Sequence, residues 1–400
     1  MSESNAAPVP TVSCRSDLAR LAIVLVLALV VRTWIVVHAE VPARDGVGFI
    51  RIALQFEERP WAEVVRRFEQ HPVYPLAVLA MSEPVRLVTG GVTPDAMVRS
   101  AQLVSLFAGI LMVLPVYFLG KTLFGRNAGV LAAALLQCLP VFVHVTSDAL
   151  SESLFLLFVS SSLLFGVRAI RAPVTWRFFL SGFCAGLAYL TRPEGAELVV
   201  AIGFVLLAVG LMNWGLKATA IRTAMLTAGV MPLVGLYVGI TGHLTNKPTP
   251  NDVINGRASD PAQQAAAGSR VVFAAFWDPQ VQAGQSRALW ALKSLAVETA
   301  KSFHYVAGAL AILGLWWYRR KLRVDAALWV PLIYAGMHAL LLWRMAVVIG
   351  YVSERHTLPI VLAGSFWAAA VVLKIGAWVG SRWRVAGDRK STRLNSSHSS

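Results

Sequence analysis

Residues 18–39 read LARLAIVLVLALVVRTWIVVHA. As a helix, this run is long enough to cross a bilayer, because a hydrocarbon layer roughly 30 Å thick needs about 20 mostly apolar residues. It has the apolar core of a secretory signal peptide, but it continues through Trp34 to His38 without a small-residue cleavage site. We therefore expect a retained first transmembrane helix.

Similar apolar blocks recur along the whole chain. The protein has 400 residues, of which 56% are hydrophobic and 14% charged, whereas soluble domains carry roughly 25% charged residues. The sequence therefore predicts an all-α polytopic membrane protein of about ten transmembrane helices. The predicted spans are residues 18–39, 97–120, 127–146, 150–167, 177–191, 195–212, 220–241, 302–318, 325–343 and 357–380.

The basic residues that give the formal charge of +15 lie in alternate loops. Arg319–Arg323 is such a cluster, whereas Ser147–Ser151 contains no Lys or Arg. Because Lys and Arg favour cytoplasmic loops, both termini are predicted to be cytoplasmic and the long loops 40–96 and 242–301 external. The partner that explains the charge is the lipid bilayer, and nucleic acid is excluded.

Four regions follow from this pattern. Residues 1–17 form a cytoplasmic tail, and residues 18–387 form one membrane domain that includes both long loops. Residues 388–400, DRKSTRLNSSHSS, resemble the in-frame translation of a sequencing adapter, so the natural chain is expected to continue beyond about Gly387. Cys14, Cys138 and Cys184 lie in the tail and in two predicted spans, which predicts neither a disulfide framework nor a metal cluster.

The external loops contain apolar residues at helical spacing. Such spacing predicts short amphipathic helices on the membrane surface in the first loop, a further helix late in the second, and an irregular segment from Asn246 to Gln285. The residues concerned are Phe49, Ile52, Ala53 and Phe56, then Val64, Val65 and Phe68, and finally Leu289, Leu292, Leu295 and Ala296.

Three external acids are candidate catalytic residues. Asp45 follows the first span at the water interface, where a carboxylate remains ionised, although it also suits the N-cap of a helix. Asp148 and Glu152 are spaced to share one helix face at the start of the fourth span, where acids are costly and usually functional. The alternative is that they complement the dipole of that helix.

Basic and aromatic residues on the same side are candidate ligands. Arg192, Arg344 and Arg355 with His356 would suit a phosphate headgroup, because the guanidinium fork matches phosphate oxygens. Snorkelling of each Arg to lipid phosphates is the alternative. His71 and Tyr74, in the element His71–Pro75, could present polar tips to a substrate or be structural.

These motifs, in this order, resemble the GT-C superfamily of membrane glycosyltransferases, in particular dolichyl-phosphate-mannose protein mannosyltransferases and bacterial relatives that modify lipid A and polysaccharide. The resemblance covers nearly all of residues 18–380. One departure is Gly46, since the family often has two adjacent acids here. The motifs are Asp45, HPVYP at 71–75, ALSESLF at 149–155, LTRPEG at 190–195 and RHTLP at 355–359.

The resemblance implies an inverting transfer of a sugar from a polyprenyl-phosphate-sugar to an acceptor hydroxyl of a protein, lipid or polysaccharide. It implies that Asp45 is the general base, that Asp148 or Glu152 orients the sugar or acceptor, and that no metal or other cofactor is required. Phosphate charge would be neutralised by Arg192, Arg355 and Arg344. The implied location is a bacterial inner membrane, with the site facing the periplasm.

A polytopic transporter or lipid flippase is the main alternative, because it would also have many spans and external acids. Transporters usually place charges near the midplane of their helices. Here the candidate acids lie at the ends of spans, and a long external segment follows the first span. Both features favour a catalytic cleft, and a non-catalytic assembly protein is a further alternative.

The predicted topology can be tested with single cysteines. Because loop 242–301 is predicted external and 319–323 cytoplasmic, Ser259→Cys should react with a membrane-impermeant thiol reagent in intact cells. Arg320→Cys should react only after permeabilisation. Labelling of position 320 alone in intact cells would reverse the topology.

Overall fold

A computed structural model of the chain describes residues 14–39, 42–247, 284 and 286–396. Within these residues there is no β-strand, which confirms the all-α prediction. The helices are α1 Cys14–His38, α2 Arg44–Glu58, α3 Trp61–Arg67, α4 Val73–Thr89, α5 Pro94–Leu111, α6 Val113–Phe124, α7 Arg126–Cys138, α8 Pro140–Val145, α9 Glu152–Arg171, α10 Thr175–Thr191, α11 Ala196–Asn213, α12 Leu216–Thr241, α13 Arg287–Ser302, α14 Val306–Trp317, α15 Arg319–Val324, α16 Trp329–Ile349 and α17 Leu358–Ser396.

Seven helical segments of the described chain are long and apolar enough to cross a membrane. The other predicted spans correspond to shorter helices, namely α7 with α8, α10, and α14. A multi-pass membrane protein is therefore confirmed, whereas the count of about ten spans stays a prediction. The seven segments are Asp17–His38, Pro94–Phe124, Glu152–Arg171, Pro193–Asn213, Leu216–Thr241, Ala326–Ile349 and Glu354–Ser381.

The predicted third span is broken at Pro140. Proline disfavours helical backbone at the preceding residue, and Leu139 is accordingly extended, with φ −79° and ψ 114°. The chain resumes as the single short helix α8 and then turns through residues 146–151 before α9 begins. This turn lies next to the candidate site.

The helices predicted within loops 40–96 and 242–301 are present as α2, α3 and α13. The contacts of the apolar face of α2 differ from those predicted from the sequence. Phe49 and Ala53 are buried in a cluster with Tyr74, Val78 and Met97, so this face packs on α4 and α5 rather than resting on the membrane surface. The reason is that the apolar side of α4 offers it a protein partner. Most of the predicted irregular segment 246–285 lies outside the described residues.

Close helix crossings hold the membrane domain together. A Cβ at Gly229 of α12 would lie 2.2 Å from the Phe179 carbonyl oxygen of α10, and one at Gly182 would lie 2.1 Å from the Leu226 carbonyl oxygen. The two backbones therefore approach closely only because both positions lack a side chain. Small residues serve this purpose in membranes, where lipid tails compete with apolar side chains for contact.

We expect Gly229→Ala to destabilise the protein by about 1–3 kcal/mol, because the added methyl group must push α10 and α12 apart. Thermal unfolding in detergent would measure the change. Gly235→Ala, on the same helix with nothing within 4 Å of its Cβ position, is the matched control and should be neutral or slightly stabilising. Equal losses in both variants would contradict the packing argument.

Candidate active site

A cavity of about 610 Å³ collects most of the predicted site residues. Six of the nine line it: Asp45, Glu152, Arg192, Arg344, Arg355 and His356. Its walls come from the first turns of α2 and α9, the C-terminal half of α16 and the residues on either side of Pro193 and His356. The sequence-distant motifs thus converge on one place, as a functional site requires.

Asp45 and Arg355 form a direct ion pair, with Oδ2 and Nη1 2.6 Å apart. Asp45 lies in the first turn of α2, and Arg355 lies in the short helix Glu354–Thr357 that precedes α17. Both also line a second cavity of about 340 Å³, together with Tyr351 and Glu354. The pair therefore stands at the boundary between two cavities.

Gly46 explains why the second acid of the family pattern is missing here. A Cβ at this position would lie 2.7 Å from the carbonyl oxygen of Ala149 and 3.0 Å from its Cβ. The start of α2 is thus seated against the turn that precedes α9. A carboxylate side chain at position 46 would not fit that contact.

Arg192 is shared between two acids. Its Nη1 donates to Glu152 at 2.8 Å, and its Nη2 lies 3.4 Å from Glu194. Arg192 itself is extended, as expected for a residue before Pro193, so the chain turns away from α10 and the side chain meets both carboxylates. The charge of this arginine is already offset within the protein.

Asp148 does not share a helix face with Glu152, because α9 begins only at Glu152 and Asp148 lies in the preceding turn. This part of the sequence prediction is wrong, since residues 146–151 do not continue the helix. Its Oδ1 accepts from the Ala149 amide at 2.6 Å and its Oδ2 from the Ala43 amide at 3.2 Å. Asp148 therefore holds the segment that leads into Asp45 and is not among the lining residues of the cavity.

Tyr74 and His71 also lie outside the cavity lining. Tyr74 is fully buried in the cluster under α2, and its hydroxyl donates to the Ala101 carbonyl at 3.1 Å. His71 is buried and stacks on Tyr237 with ring centroids 4.6 Å apart. The structural alternative that the sequence left open therefore fits both residues better.

The sequence analysis missed a buried pair in the same cavity. Nδ1 of His338 lies 3.0 Å from Glu197, and Nε2 lies 2.9 Å from the His356 carbonyl oxygen. Both ring nitrogens face oxygens, which requires a proton on each nitrogen or on the Glu197 carboxyl. Both residues are ionisable and lie inside predicted spans, and this feature of the sequence would have identified them as candidate site residues.

Glu69 and Lys247 are further missed residues of the lining. Burial lowers the pKa of Lys247, and the nearby charge of Glu194 partly offsets this shift. Burial raises the pKa of Glu69, and the charge of Lys247 partly offsets that shift. Together with Arg344 and Arg355, Lys247 gives the cavity three cationic side chains outside the Arg192 cluster.

Among the residues that the structure describes, no group of three or more His, Cys, Asp or Glu side chains is arranged to hold a metal ion. Independence of a metal stays a prediction.

Residues 88–237 match the dolichyl-phosphate-mannose-protein mannosyltransferase family. The fold matches ArnT from Cupriavidus metallidurans bound to undecaprenyl phosphate, with a TM-score of 0.58, 15% identity, and coverage of 90% of this chain and 60% of that one. The chain has the GT-C fold. The resemblance predicted from the motifs is thus confirmed at the level of the fold.

The oligosaccharyltransferase AglB from Archaeoglobus fulgidus, in complex with an inhibitory peptide and a dolichol-phosphate, has the same GT-C fold. Its TM-score is 0.60 at 14% identity, over 93% of this chain and 52% of that one. The present chain therefore spans only about half to three fifths of the length of these solved structures. No curated protein matches its sequence.

His71 should make the stability of the protein depend on pH. Burial, with a contribution from Lys247, lowers the pKa of His71 to about 4, against about 6.5 in an unfolded chain. Between these values only the unfolded chain binds the proton, so stability should fall as the pH is lowered from about 6.5 to about 4. Thermal unfolding across this range should show a shallower dependence for His71→Phe, and parallel curves for both proteins would contradict the assignment.

Proposed function

We propose that the protein is an integral membrane glycosyltransferase that moves a sugar from a polyprenyl-phosphate-sugar to an acceptor hydroxyl, with inversion. The observation that carries the proposal is the Asp45–Arg355 pair at the boundary of two cavities. A base for the acceptor and a ligand for the phosphate are thereby placed side by side. The lipid phosphates bound by the ArnT and AglB structures support this class of donor.

The larger cavity takes the donor. Arg355, Arg344 and Lys247 are the cationic groups placed to receive its phosphate, and charge-assisted hydrogen bonds from Arg suit phosphate oxygens. Arg192 adds positive potential, although it is paired with Glu152 and Glu194. When the phosphate binds Arg355, it replaces Asp45 as the partner of that guanidinium, and the carboxylate is released for the acceptor.

The sugar lies against the acidic wall of the same cavity. Glu152, Glu194 and Glu197 each have one buried carboxylate oxygen that makes no hydrogen bond within the described chain. Unpaired buried acceptors are costly, and the hydroxyl groups of a sugar are donors that would satisfy them. Glu152 thereby keeps the orienting role predicted from the sequence, whereas Asp148 accepts hydrogen bonds from the backbone amides of Ala43 and Ala149.

The acceptor enters through the smaller cavity and meets Asp45. The carboxylate takes the proton of the acceptor hydroxyl while its oxygen forms the bond to the anomeric carbon. The bond from that carbon to the phosphate oxygen breaks, and the electron pair stays on the phosphate, where Arg355 stabilises the growing charge. A single displacement of this kind inverts the anomeric centre.

The acceptor class stays open between protein, lipid and polysaccharide, and the donor sugar is a hexose or pentose. We place the site on the periplasmic side of a bacterial inner membrane, because it lies at the ends of spans joined by the long, externally predicted loops. Mass analysis of products, after the purified protein is given a panel of polyprenyl-phosphate sugars and acceptors, identifies both substrates.

Asp45→Asn should lower kcat by at least about 100-fold, because the amide keeps the shape of the side chain and loses its basicity. Donor binding should change little. Asp95→Asn, an exposed acid in the first turn of α5, is the control and should leave turnover intact. Turnover of Asp45→Asn within about threefold of the unmodified protein would remove Asp45 as the base and leave Glu152 as the candidate.

A further inference from the structure

Arg32 is a fully buried charged residue within the first membrane span. Its Nε donates to the Gln137 side chain at 2.9 Å, and its Nη1 donates to both the carbonyl and the hydroxyl oxygen of Thr146 at 2.9 Å. Nη1 also lies 3.3 Å from the Ser147 hydroxyl. All of these partners are neutral, and Nη2 has none among the residues that the structure describes.

The space for this side chain is provided by the neighbouring helix α5. A Cβ at Gly109 would lie 2.2 Å from Nη1 and 2.4 Å from Cζ of Arg32. The guanidinium therefore passes directly over the backbone of α5 on its way to the turn 146–147. A charged group buried in a membrane is costly and is usually tied to function. Neutral side chains would be enough for a link that only held two helices together.

The turn that Arg32 holds supports the segment with the proposed base. Asp148 follows the two residues that accept from Arg32, and its carboxylate accepts from the Ala43 amide, two residues before Asp45. On the other side of Asp45, Gly46 is seated against the backbone of Ala149. Residues 146–149 thus contact Arg32 on one side and both flanks of Asp45 on the other.

We propose that Arg32 is a positioning residue of the site: by fixing the turn 146–149 it fixes the place of Asp45. The hydrogen bonds from Nη1 of Arg32 to this turn restrict it more strongly than an apolar contact would, because hydrogen bonds depend on direction as well as distance. The catalytic meaning of this role rests on the proposed function. The structural link itself does not, and it can be tested without any substrate.

The test measures how often the turn 146–149 opens to water, at Ala149, which is fully buried. In an Ala149→Cys protein, the rate of modification by a charged methanethiosulfonate reagent is followed by mass analysis of the peptide that contains position 149. Adding Arg32→Met should raise this rate by about tenfold, because the turn and the segment seated on it then open more often. Asp148→Ala should have a similar effect, and the two together should not add, since both act through the same contacts.

Arg20→Met is the matched control. Arg20 lies on the same helix and also donates to α7, through Asn127 at 2.7 Å, but at the opposite end of the span. It should leave the labelling rate unchanged. If Arg32→Met does not fold, Thr146→Val removes one acceptor from Arg32 without touching the buried charge and should raise the rate by a smaller factor. An unchanged rate in the folded Arg32 or Thr146 variant, or an equal rise in Arg20→Met, would overturn the proposal.

A second measurement separates positioning from simple stability. With Ala149 intact, Arg32→Met should lower kcat by about tenfold while the KM for an undecaprenyl-phosphate sugar stays nearly constant, because Arg32 does not line the donor cavity. Arg32→Lys, which keeps the charge, should recover part of the loss. Absence of turnover in the unmodified protein would count against the proposed function, whereas the labelling result would still decide the role of Arg32.

Discussion

A charge that leaves water to enter a membrane protein must find its partner inside the protein. This constraint governs the more buried charged groups of the cavity, where Arg192 pairs with Glu152 and Glu194, whereas the Asp45–Arg355 pair is partly exposed to water. Such pairs are no strong source of stability, because desolvation consumes much of the Coulomb attraction. They do keep several ionised groups within a small volume.

A second constraint of the membrane acts on the packing of the helices. Lipid competes with every apolar contact, so the helices depend on close backbone approach, as at Gly182 and Gly229. Arg32 uses a similar approach at Gly109 to reach the turn 146–147 from within the membrane. Packing deep in the bundle is in this way linked to the turn that contacts both flanks of Asp45.

The sequence predicts which residues come together better than it predicts their individual neighbours. Asp45 and Arg355 are both predicted to be external from span and charge patterns, and the structure brings them into contact. Asp148 was given a place beside Glu152 because helical spacing was assumed to continue, but Pro140 and the turn after α8 interrupt it. Tyr74 is in the core because the apolar face of α2 covers it, which no local pattern shows.

The sequence by itself determined the all-α multi-pass membrane class, and it predicts the spans and the external placement of the candidate residues. These follow from hydrophobicity and charge, which are properties of short segments and need no knowledge of distant parts of the chain. Only the tertiary structure decided that His338 meets Glu197, that Arg32 reaches the turn before α9, and which arginine faces which acid. Those contacts join residues more than 100 positions apart in the case of Arg32 and Thr146, and they depend on how helices cross, which the local sequence does not encode.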